Sequence, residues 1–117
     1  MPFYTFDQNN SGGGFDYDES AGISCVVIIE ADSAYSANRR AEEIGLYFDG
    51  ADKGSDCPCC GDRWHEAYGE GDEVPSVYDT PLPEYVPYFK WIRSGYEIFT
   101  HYSDGRIVGT HGPEVSK

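Results

Sequence analysis

Three cysteines fall within four consecutive positions, in the order Cys57-Pro58-Cys59-Cys60-Gly61. This satisfies C-P-x-C-G, the spacing of a zinc knuckle. The proline stiffens the turn, the glycine lets the chain curl back, and thiolates at i and i+3 converge on one ion. One knuckle supplies two ligands, whereas a closed tetrahedral site needs four. The predicted set is Cys57 and Cys60 with His65, nearest in sequence, and Cys59; Cys25, His101 and His111 are the other candidates. Two readings compete with zinc. One is a tight turn with free thiols. The other is a reactive Cys59, although beyond Arg63 and His65 no basic cluster surrounds it to favour its thiolate.

Other chemistry-bearing residues group less well. Asp49, Asp52 and Asp56 lack the alternating carboxylates and final Glu of a calcium loop. His65-Glu66 and His101 with Asp104 can be drawn as acid–base pairs, but a chain this acidic offers such pairs by chance, and no catalytic residue is assigned. Asn9, Asn10 and Ser11 open a run that ends Gly12-Gly13-Gly14. With Arg39 and Arg40 they could hold a phosphate, yet no helix start follows directly to add N–H donors. Trp64 and Trp91 read as core anchors.

Charge narrows the partner class. Twenty-one acidic residues against eight Lys and Arg give a net charge of -13. Such a charge repels nucleic-acid backbones and anionic membranes and favours a basic protein surface. The acids concentrate in the middle: residues 49–84 hold ten acids and two bases, whereas residues 85–117 hold three and four. Asp62, Glu66, Glu70, Asp72 and Glu73 are therefore the candidate partner-binding residues. The plainer alternative is that they solvate loops.

No stretch approaches the roughly 20 apolar residues of a membrane span, and Met1-Pro2-Phe3-Tyr4-Thr5 lacks the features of a signal peptide. A cytosolic protein is expected. In that compartment crowded cysteines favour metal over disulfides. The 117 residues suit one domain spanning 1–117.

The positioning elements follow from local pattern. Phe3 to Gln8 alternates as a half-buried strand, and the Asn9–Gly14 run reads as a wide hairpin loop. Ile23 to Glu30 is β-branched along its length, as in a central strand buried on both faces, with Cys25 packed as a small hydrophobe. Asp32 and Ser33 offer N-cap oxygens for a helix over 34–44. Its apolar face is Ala34, Ala37, Ala41 and Ile44, and Gly45 ends it. Leu46-Tyr47-Phe48 is a short apolar run with strand character. Val74 to Pro87 contains four prolines and reads as an extended covering segment. Tyr88 to Ile92 and Tyr96 to Tyr102 read as strands, the latter turning at Ser103-Asp104-Gly105 into Arg106 to Thr110.

Gln8-Asn9-Asn10-Ser11-Gly12-Gly13, Ile29-Glu30-Ala31-Asp32, Gly45-Leu46-Tyr47-Phe48-Asp49-Gly50 and Asp56-Cys57-Pro58-Cys59-Cys60-Gly61-Asp62-Arg63-Trp64 carry a resemblance. In this order the chain, from Phe3 to Pro87, resembles a family of short tailed-bacteriophage proteins with no assigned activity. The resemblance implies a phage gene expressed in a bacterial host's cytoplasm. The expected fold is α+β: an antiparallel sheet from the strands near Phe3, Ile23 and Tyr96, one helix packed across it, and a long metal-pinned loop over about 49–87. The expected function is non-enzymatic binding of a host or defence protein through the acidic region, as a possible nucleic-acid mimic. A small-ligand or nucleotide-binding protein that sequesters or processes a signalling molecule, and a virion-associated structural role, are the rival expectations.

Overall fold

A computed structural model of the chain describes residues 1–8, 18–48, 64–77, 80–82 and 98–110. Phe3–Asp7 forms strand β1 and Val26–Glu30 strand β2, paired antiparallel with Phe3 opposite Glu30 and Asp7 opposite Val26. A 3-10 turn at Glu19–Ala21 precedes β2. Helix α1 spans Ala34–Ile44, β3 Ser76–Val77, β4 Thr80–Pro81, β5 Ile98–His101 and β6 Ile107–Thr110. Among the described residues these strands form a sheet in the order β1-β2-β5-β6 and a separate ribbon of β3 with β4.

The caps explain why α1 starts and stops where it does. Ser33 is extended, at φ -159 and ψ 164, and its Oγ accepts from the Ser36 N–H at 3.1 Å. At the other end Gly45 has φ 123, its N–H reaches the Glu42 carbonyl at 3.2 Å, and the Leu46 N–H reaches Ala41 at 2.9 Å. Those paired bonds satisfy the last free carbonyls and reverse the chain into the core.

Strand β2 is covered on both faces. Val27 and Ile29 join Tyr4, Phe6, Ala37, Ala41, Leu46, Phe48 and Trp64 on the helix side. Val26 and Ile28 join Phe3, Cys25, Ile98 and Val77 on the ribbon side. Each large apolar side chain so buried contributes about 1.5–3 kcal/mol of transfer free energy. Ala37 and Ala41 are fully buried, and their small side chains let the helix backbone lie close on the sheet.

The α+β class is as expected, but the sheet is mixed rather than antiparallel. Strand β5 runs parallel to β2, with Val26 opposite Ile98 and Ile29 opposite His101. Parallel neighbours need a crossover rather than a hairpin, and α1, following β2 directly, lies on that crossover. Leu46-Tyr47-Phe48 is not a strand. It leaves the helix cap as irregular chain that drives Leu46 and Phe48 inward, the Phe48 ring lying 6.1 Å from that of Phe6. Among the described residues, the proline-containing segment after Val74 forms the two-residue strands β3 and β4, with Pro81 opposite Ser76 in a ribbon outside the main sheet. The β5–β6 hairpin turns at Ser103-Asp104-Gly105 as its composition predicts, with Gly105 at φ 99. Tyr88 to Ile92 lies outside the described residues.

Candidate functional site

The most acidic described segment, residues 64–77, wraps the outer edge of β1 and is fastened at several points. Trp64 is 2% exposed and anchors one end in the helix-side core. Three residues later Asn38 of α1 grips Ala67. The Asn38 Oδ1 accepts from the Ala67 N–H at 2.7 Å, and the Asn38 Nδ2 donates to the Ala67 carbonyl at 3.0 Å. Farther on, Asp72 and Phe3 exchange both backbone bonds, at 2.7 and 2.8 Å. Val77 then enters the ribbon-side core, and the Thr5 hydroxyl donates to the Ser76 carbonyl at 2.7 Å.

Gly71 permits the close approach at the Phe3–Asp72 bridge. It has φ +76, and a Cβ there would lie 2.9 Å from the Phe3 carbonyl oxygen and from the Pro2 Cβ. The segment thus crosses from one face of the sheet to the other around the end of β1.

Between these fastenings a cavity of about 480 Å³ follows β1. Thr5, Asp7, His65, Glu66, Tyr68 and Asp72 are among the residues that line it. Glu66, Glu70, Glu73 and His65 are exposed, and Tyr68 is 87% exposed. The strand geometry exposes main chain here as well. The Pro2 carbonyl accepts from the Ala31 N–H and the Gln8 N–H donates to the Cys25 carbonyl, so residues of that parity face β2. Phe3 and Thr5, of the opposite parity, turn their N–H and C=O groups away from β2. Phe3 is met by Asp72; the Thr5 backbone faces the cavity.

The predicted site residues distribute unevenly over this structure. Cys57, Cys59, Cys60, Asp62, Asn9, Asn10 and Ser11 lie outside the described residues, as do Trp91, Arg63 and His111. His65 lies at the cavity wall beside the anchored Trp64 and makes no hydrogen bond among the described residues. Among those residues no group of three or more His, Cys, Asp or Glu is placed to hold a metal. Cys25 is buried in the ribbon-side core, where its surroundings in sequence put it. Arg39 and Arg40 are exposed on α1 and paired with Glu42 and Glu43 respectively, so anion binding there would have to compete with carboxylates on the same helix.

His101 takes a structural place that its sequence neighbours do not announce. It is 1% exposed, and its Nε2 lies 2.8 Å from the Gly22 carbonyl. Because a carbonyl only accepts, Nε2 carries the proton and donates. Nδ1 is buried without a partner among the described residues. Burial pulls the imidazole pKa below its ordinary value; the Gly22 hydrogen bond opposes that shift, and the positive Arg40 adds to it. Gly22 accommodates the ring, since at φ +76 a Cβ would come within 2.7 Å of it. A second concavity of about 310 Å³ opens nearby, between α1 and the β5–β6 turn, with Arg40, Glu30 and Asp32 among its lining residues.

Asn38 and Gly71, which place the acidic segment, went unmarked at the sequence level. A polar residue inside the helix, one position after buried Ala37, was the available sign for Asn38. Gly71 between Glu70 and Asp72 was the sign of a close backbone approach.

No curated protein and no solved structure is significantly similar to this chain. One family model matches, described as a domain of unknown function, DUF7296, and it covers residues 1–116. That range takes in the C-terminal stretch beyond Pro87 that the resemblance left out. Among the described residues no helix is long and apolar enough to cross a membrane. With 116 of its 117 residues matched, the chain belongs to the DUF7296 family.

Proposed function

We propose that this protein is a phage accessory protein that works by binding rather than by chemistry, presenting its acidic segment to a basic site on a host or defence protein in the bacterial cytoplasm. The single observation that carries the reading is the fastening of residues 64–77. Glu66, Glu70, Asp72 and Glu73 sit on a segment held by Trp64, Asn38 and Phe3 rather than on a loop that merely solvates. A held array of like charges attracts a basic partner at lower entropic cost than a free one. Mimicry of a nucleic-acid backbone is the form of this reading that the net charge of -13 favours.

Zinc belongs to the same proposal. Cys57 and Cys60, with His65 and Cys59, would hold it, and the ion would tie down the chain just before Trp64. His65 suits the role, since its ring is exposed and makes no hydrogen bond among the described residues.

The test is capture of partners by the tagged full chain, compared with a Glu66→Gln, Glu70→Gln, Glu73→Gln variant over a salt series. Basic nucleic-acid-binding proteins retained by the parent, lost by the variant and released as salt rises support the reading, because exposed charges are screened beyond about 8 Å at physiological ionic strength. A partner held equally by both proteins and indifferent to salt overturns it.

A further inference from the structure

The cavity along β1 has the parts of a strand-addition site. Its floor is a sheet edge, since β1 is the outermost strand of the main sheet among the described residues. An open edge carries unmet main-chain groups and is a ready template for another extended chain. The Thr5 N–H and C=O face outward, while the Phe3 groups one step away already bond Asp72 in strand-like fashion. The edge is therefore capable of pairing, and segment 64–77 engages it through main chain at Phe3.

Segment 64–77 supplies the walls. Ala67 is clasped against α1 on the helix side, Asp72 bridges to Phe3, and Val77 is buried on the ribbon side; between Ala67 and the Phe3–Asp72 bridge the segment leaves about 480 Å³ beside Thr5. The lining is acidic: Asp7, Glu66 and Asp72 contribute carboxylates, and among the described residues His65 is the one basic side chain on the wall. Tyr68 stands at the rim as an exposed aromatic face, suited to the aliphatic stem and charge of a lysine or arginine.

We infer that this groove takes an extended lysine- or arginine-bearing segment of the partner protein, which adds to β1 as a strand through the Thr5 main chain. The inference rests on the proposed binding of a basic partner and names how that partner docks. Main-chain pairing supplies affinity for any extended segment, and the acidic walls with Tyr68 select a basic one. A strand presents alternate side chains to opposite faces, so one row of basic residues would reach Glu66 and Tyr68.

The probe is a short synthetic peptide alternating lysine and threonine, together with the same peptide N-methylated on the amides of one edge. Binding to the full chain is followed by fluorescence anisotropy, and exchange of the Thr5 amide by NMR. The expected results are binding of the unmethylated peptide, slowed Thr5 exchange in the complex, and affinity weakened roughly tenfold by N-methylation, which removes backbone donors without changing charge. Tyr68→Ala should weaken binding several-fold with an unchanged NMR fingerprint elsewhere.

Equal binding of both peptides with Thr5 exchange unaffected would overturn strand addition while leaving the basic-partner reading intact. Absence of binding by either peptide at low salt overturns the groove proposal, whereas the basic-partner reading answers to the salt-dependent capture experiment. A Thr5 amide already protected in the dilute monomer would assign the groove to the chain's own sequence. Protection that grows with protein concentration, alongside dimers in sedimentation, would assign it to a second copy. Either result overturns the inference.

Discussion

Asn38 hydrogen-bonds both backbone groups of Ala67, 29 positions away, in the manner of a strand neighbour. A single side chain on α1 thereby fixes the path of the acidic segment at Ala67. Asn38→Ala should lower stability by about 1–3 kcal/mol, since it strands a part-buried donor and acceptor together. Urea unfolding gives the loss, and amide exchange at Ala67 should rise even where the global fold persists. Asn38→Asp keeps the acceptor but not the donor and should fall between the two proteins.

Gly69 and Gly71 offer a matched comparison on the same segment. Both have positive φ, +84 and +76, but a Cβ at Gly69 meets nothing within 4 Å, whereas one at Gly71 runs into Phe3 and Pro2. Gly69→Ala should cost about 1–2 kcal/mol, the penalty of a left-handed conformation alone. Gly71→Ala should cost about 2–4 kcal/mol, because strain and overpacking add. Equal losses in denaturant melts would show that the close approach of Phe3 and Pro2 to Gly71 adds no cost.

His101 makes stability pH-dependent on the acid side. Its folded pKa is lowered mainly by burial, so below the ordinary value near 6.5 the unfolded chain takes up a proton more readily than the native one. The contribution of the neutral ring is therefore fully present above pH 6.5 and is lost as pH falls through the window down to the folded pKa. Unfolding free energies measured from neutrality to about pH 5 should decline, and His101→Gln should flatten that part of the slope. NMR titration of the His101 ring should place its midpoint below 6.5.

Zinc binding, as proposed, predicts about one equivalent in protein prepared under reducing, metal-replete conditions. Chelation should lower the melting temperature, because a ligand specific to the native state stabilises it by mass action. Cys57→Ser and Cys60→Ser should each abolish retention, whereas Cys25→Ser, in the ribbon-side core, should leave metal content unchanged. Elemental analysis finding no zinc would leave Cys57-Pro58-Cys59-Cys60-Gly61 as a turn with free thiols.

The sequence by itself determined the elements whose signals are local. Ser33 and Gly45 bound α1 because a cap is made by a hydroxyl and a left-handed residue within one turn of the helix end, and Asp104-Gly105 turns a hairpin for the same short-range reason. The β-branched run ending at Glu30 announced a strand covered on both faces, and β2 is one. Tertiary structure alone decided that β2 and β5 run parallel, that His101 points at Gly22 across 79 positions, and that Glu66 and Asp72 line the cavity along β1. Each of these is a contact between distant segments, chosen by which buried faces and unmet main-chain groups satisfy one another once the chain has collapsed, and residue spacing carries no record of that choice.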